Sequence, residues 1–162
     1  MLGTETHVVG KAFTTTVDGR VAKLLNEVDV SRTDGSCARS YVAQWDTGAE
    51  RTCVSQRVVS ELGLEQLGCI RLSSPAGVEV VPTYKIVLHL PNNTAVVNYE
   101  VPLARFDDCD VDVLVGLDVI TNGEFAVGFD GERTQFTFRV PANALPDFCA
   151  PDARGRAGAV GA

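Results

Sequence analysis

Tyr41-Val42-Ala43-Gln44-Trp45-Asp46-Thr47-Gly48-Ala49 is an apolar run that ends in a carboxylate, a hydroxyl and a glycine. A strand that delivers an acid to its end presents that acid for chemistry, and the glycine after it lets a second stretch of backbone approach closely. Thr52-Cys53-Val54-Ser55 follows on the far side of the loop. Taken alone, an aspartate before Thr-Gly also serves as an ordinary turn residue whose carboxylate caps nearby amides.

Further along, Val111-Asp112-Val113-Leu114-Val115-Gly116-Leu117-Asp118-Val119-Ile120 reads as a short apolar strand, a glycine and the first turn of a helix. The two motifs together resemble the retropepsin-like aspartic proteases, which include the retroviral proteases and their cellular and bacterial single-domain relatives. The resemblance runs from about Val21 to Val140. It implies an all-β fold, a closed β-barrel of the acid-protease-half type with one or two short helices. On it, Asp46 corresponds to the catalytic aspartate, and Thr47, Gly48 and Ala49 to the residues that support it. Gly116 and Asp118 fall on the second motif, where the chain passes behind the catalytic loop; both are also explained by structural roles, Asp118 as a helix N-terminal capper. Ser74, Pro75, Ala76 and Gly77 lie where the family carries the flap that closes on substrate, although the same segment also reads as a plain hairpin loop. Two features depart from the retroviral pattern: Trp45 replaces a small aliphatic residue, and Glu50-Arg51 stand where acidic residues bind substrate backbone. Trp45 itself reads as core or groove wall.

Composition agrees with one domain. The 162 residues, 45% of them hydrophobic, suffice for one core. A formal charge of −7 without a Lys/Arg cluster argues against nucleic acid. No apolar run reaches the roughly 20 residues that span a bilayer, and the N-terminus lacks the regions of a signal peptide, so no membrane partner is expected. Five cysteines, Cys37, Cys53, Cys69, Cys109 and Cys149, are odd in number and widely spaced, which favours reduced, buried thiols and a cytoplasmic location. With two histidines and no paired cysteine spacing, neither a metal nor another cofactor is expected. The acidic run Asp107-Asp108-Cys109-Asp110 with Asp112 reads as a solvated loop.

Period-two alternation dominates the rest of the chain, the pattern of strands with one buried face. Ile86, Leu88 and Leu90 form one such set, Val97, Tyr99, Val101 and Leu103 a second, and Phe136, Phe138 and Val140 a third. Turn signals at Asp18-Gly19, Asp34-Gly35, Pro91-Asn92-Asn93, Asn122-Gly123 and Asp130-Gly131 separate the runs, and several should close hairpins. Ser55 caps a short helix with Val58, Val59 and Leu62 inward and Gly63 as its stop; a second turn follows Gly116. The expected organisation is an N-terminal extension over 1–20, the domain over 21–141 and a flexible C-terminal tail over 142–162, small and without alternation.

Counting decides the expected chemistry. Hydrolysing a peptide with carboxylates needs two that share a proton, one activating water and the other polarising the carbonyl. The chain holds one Asp-Thr-Gly, so the resemblance implies a homodimer in which two symmetry-related Asp46 carboxylates act on a peptide or protein substrate. The alternatives are a non-catalytic module of the same fold that dimerises or binds peptides, and a precursor that trims its own ends.

Overall fold

Strands form where the alternation runs, because successive side chains of an extended chain point to opposite faces and one face can be buried. The computed structural model describes residues 3–74, 77–106 and 110–143. Its strands are β1 (Thr4–Val9), β2 (Ala12–Asp18), β3 (Leu24–Ser31), β4 (Arg39–Trp45), β5 (Cys53–Val54), β6 (Gln66–Ser74), β7 (Gly77–Leu90), β8 (Thr94–Pro102), β9 (Val113–Val115), β10 (Glu124–Phe129) and β11 (Arg133–Arg139). Its helices are α1 (Gln56–Leu62) and α2 (Leu117–Ile120), so the chain is all-β with two short helices, as expected. Among the described residues the strands pair into two open sheets and not into one closed ring. One sheet has the order β1-β2-β11-β10; the other has β5-β9-β4-β3-β7-β6, with β8 also on β7.

An aromatic layer joins the sheets. Trp45, at the end of β4, lies 5.4 Å from Phe13 of β2, 5.0 Å from Phe138 of β11 and 5.7 Å from Phe125 of β10, the last pair stacked at 9°. Offset and tilted rings at these separations bury much apolar area and add a geometric preference of their own. Trp45 is therefore core, and its indole N–H donates to Asn26 Oδ1 at 3.0 Å. The stretch 1–20, read as an extension, contains β1 and β2, and β2 pairs with β11 from Ala12 opposite Arg139 to Asp18 opposite Arg133. Phe13 is almost wholly buried.

Three of the expected turns close hairpins: Asp34-Gly35 between β3 and β4, Pro91-Asn92-Asn93 between β7 and β8, and Asp130-Gly131 between β10 and β11. Asp18-Gly19 instead leads out of the four-stranded sheet toward β3, and Asn122-Gly123 leads from α2 into β10. Helix α1 matches its expected limits, with the Val58 N–H donating to Ser55 Oγ, Gly63 at φ 56°, and Val58, Val59 and Leu62 buried. One alternating set is corrected. Ile86 stands opposite Tyr99 and Leu88 opposite Val96, so β8 carries an extra residue. That bulge reverses the alternation: Val96 packs against the core, while Val97 is 65% exposed.

The β6–β7 ladder extends to Ser74 opposite Gly77. Gly77 is exposed, as are Val78 and Val80 beside it, whereas Pro75 and Ala76, expected at the tip of the flap, lie outside the described residues. So do residues 144–162 of the expected tail, and Asp107, Asp108 and Cys109. Among the described residues no helix is long and apolar enough to cross a membrane.

Candidate active site

The Asp46 loop takes its position from two parallel strands. Ala43, Gln44 and Trp45 of β4 stand opposite Val113, Leu114 and Val115 of β9, and one step later the Asp46 N–H donates to the Val115 carbonyl at 3.0 Å. Asp46 thus leaves β4 beside the point where Gly116 leaves β9. The Asp46 side chain is half-buried, while Thr47 and Gly48 are exposed and Ala49 half-buried. The Gly48 N–H donates to Asp46 Oδ1 at 2.8 Å and the Ala49 N–H to the Asp46 carbonyl at 3.3 Å. A short polar side chain that accepts from the amide two residues on fixes its own rotamer, so the carboxylate is held in one orientation.

Behind the loop the backbones come into direct contact at Gly116. A Cβ at that position would stand 2.6 Å from the Arg51 carbonyl carbon, 2.8 Å from its oxygen and 3.0 Å from the Ala49 oxygen, closer than packed atoms tolerate. Leu117 and Asp118 then donate their N–H groups to the carbonyls of Ala49 and Glu50, at 2.9 and 3.2 Å. The start of α2 is laced to the far side of the Asp46 loop.

Asp118 reinforces that lacing and does not cap its own helix, since the N-cap position is Gly116 and no side chain caps it. Its carboxylate accepts the Thr52 N–H at 2.9 and 3.0 Å and the Thr52 hydroxyl at 2.8 Å. Thr52 Oγ1 in turn accepts the Gly116 N–H at 3.0 Å. The hydrogen bonds run in one direction, from Gly116 N–H to the Thr52 hydroxyl to a carboxylate that can only accept when ionised. Thr52 is 1% exposed. Nothing in its local sequence marks it, because its partner is 66 positions away.

Asp112 corrects the reading of the acidic run as a solvated loop. Its side chain is 3% exposed, accepting from Arg57 Nη1 at 3.0 Å and Ser55 Oγ at 3.1 Å. Its backbone donates to the Val42 carbonyl and accepts from the Ser55 N–H. A buried carboxylate persists when it is paired and fully bonded, and this one fastens the start of α1 to β4 and β9.

The cysteines divide. Cys53 is buried, and burial first, then the nearby Asp118 carboxylate, pushes its thiol up to about 11. Cys37 and Cys69 are exposed, contrary to the expectation of buried thiols; both sit on the turn or strand surface where no core reaches them, and all three are free. Burial likewise holds the Tyr99 phenol above its ordinary value, with Asp118 adding to the effect. Among the described residues no group of three His, Cys, Asp or Glu side chains is arranged to hold a metal.

The structure thus brings together Asp46, Thr47, Gly48, Ala49, Gly116 and Asp118. No protein-family model matches the chain, and no curated protein does. Among solved structures it is similar to a retropepsin-like aspartic protease from Rickettsia conorii, at 13% sequence identity and a TM-score of 0.48, with 85% of this chain and 97% of that chain covered.

Proposed function

We propose that the chain is an aspartic endopeptidase, active as a homodimer, whose two Asp46 carboxylates meet across a two-fold axis. The observation that carries this reading is the state of Asp46: a carboxylate at the open end of a strand, oriented by the Gly48 N–H and backed by a rigid lattice of backbone bonds. A structural aspartate has no need of such an open-ended and tightly braced position, whereas a general base requires one.

In the dimer the two carboxylates share one proton, since like charges a few ångströms apart cannot both ionise. The ionised one takes a proton from water as the water oxygen attacks the peptide carbonyl carbon. The protonated one donates a hydrogen bond, then its proton, to the carbonyl oxygen, giving a neutral tetrahedral diol. As the diol collapses, the carboxylate that is now ionised takes a proton from one diol hydroxyl, the protonated one gives its proton to the amide nitrogen, the C–N bond breaks, and the dyad again holds one proton. Thr47 bonds across the axis to the opposite loop, the Gly48 carbonyl accepts from substrate main chain, and the β6–β7 hairpin at Ser74 to Gly77 covers the groove and excludes water. Ala49 and Gly116 keep the loop at its height, through the Leu117 N–H bond and the backbone contact already described.

The test is cleavage of a peptide library by the parent protein and by Asp46→Asn. The near-isosteric amide retains an acceptor for the Gly48 N–H but cannot share the proton, so cleavage is expected to disappear while the melting temperature stays within about 2 °C. Equal cleavage by both proteins contradicts the assignment.

A further inference from the structure

The aromatic layer that ends at the Asp46 loop contains a single polar group, the indole N–H of Trp45, among the rings of Phe13, Phe125, Phe136 and Phe138. An indole N–H can only donate, so the side-chain oxygen of Asn26 on β3 is the atom that meets it, at 3.0 Å. Both residues are buried. The pair is kept at a cost, because Asn26 Nδ2 is buried and without a hydrogen-bond partner among the described residues. Apolar side chains at both positions would fill the same space without that cost.

The strand order shows what the pair contributes. β4 lies between β9 and β3. On the β9 side the backbone brace reaches Asp46 itself, whose N–H donates to the Val115 carbonyl. On the β3 side the ladder stops one residue short, at Leu24 opposite Trp45. Asn26 stands opposite Ala43 on the same strand pair and reaches diagonally to the indole, so β3 holds the end of β4 through this side-chain bond. Stacking on Phe125 at 9° sets the plane of the indole but leaves it able to slide, and a directional bond at the ring edge stops the slide. Trp45 is the residue that carries Asp46.

We infer that Asn26 is a positioning residue for the Asp46 carboxylate: by fixing the Trp45 indole, it holds the end of β4 on the side where β3 has run out. Its effect on rate rests on the proposed function, whereas its effect on the Asp46 backbone does not. A shift of about 1 Å at a reacting group costs up to about 100-fold in rate, so a bond one residue away from that group is felt in the chemical step.

The experiment compares Asn26→Leu, Trp45→Phe and the double variant with the parent, in the full chain. Each single variant strands one buried polar partner and is expected to melt about 3–10 °C lower. The double variant removes both partners, and the larger leucine takes up space that the smaller ring leaves, so its melting temperature is expected to return to within about 3 °C of the parent. The primary readout is NMR hydrogen exchange of the Asp46 amide, whose bond is present in the parent and whose measurement needs no activity. Exchange is expected to be about fivefold faster in all three variants, the double variant included. Peptide cleavage is the second readout: kcat is expected to fall about tenfold in all three while KM stays within about twofold. If the double variant recovers Asp46 exchange and kcat together with its melting temperature, or if Asn26→Leu leaves both at parent values, the pair serves packing alone and the inference is overturned. Should Asn26→Leu fail to fold, Trp45→Phe and the double variant break the same bond and carry the test. If the parent cleaves nothing, the protease reading fails, and exchange at Asp46 still decides the role of Asn26.

Discussion

Asp46 and Gly116 stand side by side at the ends of two parallel strands, joined by the bond from the Asp46 N–H to the carbonyl of Val115, at 3.0 Å. The height and tilt of the acid are thus set by the strand next to it, and any change that pushes β9 and the Asp46 loop apart acts directly on the carboxylate.

Gly116→Ala provides that change. Its φ is ordinary for any residue, at −94°, so the cost is steric: the new methyl meets Arg51 and Ala49 backbone, which cannot rotate away. The expected loss is about 1–3 kcal/mol, or roughly 3–10 °C in melting temperature for a chain of this size. A thermal melt followed by circular dichroism measures it. A variant as stable as the parent would mean that the backbones are not in contact there.

Acid stability follows from α1. Glu61 accepts from Arg57 and from Tyr41, and these bonds lower its pKa below the ordinary 4.5, while burial first and then the bond to Glu61 raise the Tyr41 phenol to about 12. A carboxylate with a depressed folded value contributes stability that is fully present above its unfolded value and lost as the pH falls through the folded one. The melting temperature is therefore expected to drop below about pH 4.5, and Glu61→Gln to flatten that drop. Parallel melting curves for the two proteins across about pH 3 to 6 would expose the error if their pH dependence were the same.

How legible these features were depended on how far apart their partners lie. Ser55 and Gly63 bound α1 because each cap acts within one turn, and Asp130-Gly131 closes its hairpin through bonds from Glu132 and Arg133 to the Asp130 carboxylate. Asp46-Thr47-Gly48 is local in the same sense, its carboxylate held by the amide two positions on. Thr52 and Asp118 could not be paired from sequence, nor Trp45 and Asn26, because nothing near either residue signals a partner on another strand. The bulge that turns Val97 outward was hidden for a related reason: alternation predicts a face only while the register holds, and it was the opposing strand β7 that revealed the extra residue. Asp112 looked like one more acid in a charged run until the Arg57 and Ser55 side chains closed over it.

A pH–rate profile separates the carboxylate mechanism from a thiol one. The dyad works with one proton between two acids, so the rate is expected to be bell-shaped with its maximum at acid to mildly acid pH, falling as both acids protonate and again as both ionise. Cys53, on the strand that follows the loop, is pushed up to about 11 by burial and by Asp118, which keeps it protonated through neutral pH. A rate that climbs steadily toward about pH 9 would point to a thiolate and away from Asp46.

The central claim is that one chain holds half a site, and the most direct measurement is specific activity against protein concentration with sedimentation on the same preparation. Activity is expected to fall on dilution in step with the loss of dimer, and mixed dimers with one Asp46→Asn subunit are expected to be nearly inactive. A species that sediments as a monomer at every concentration and retains full specific activity would contradict the homodimer and the shared-proton mechanism together.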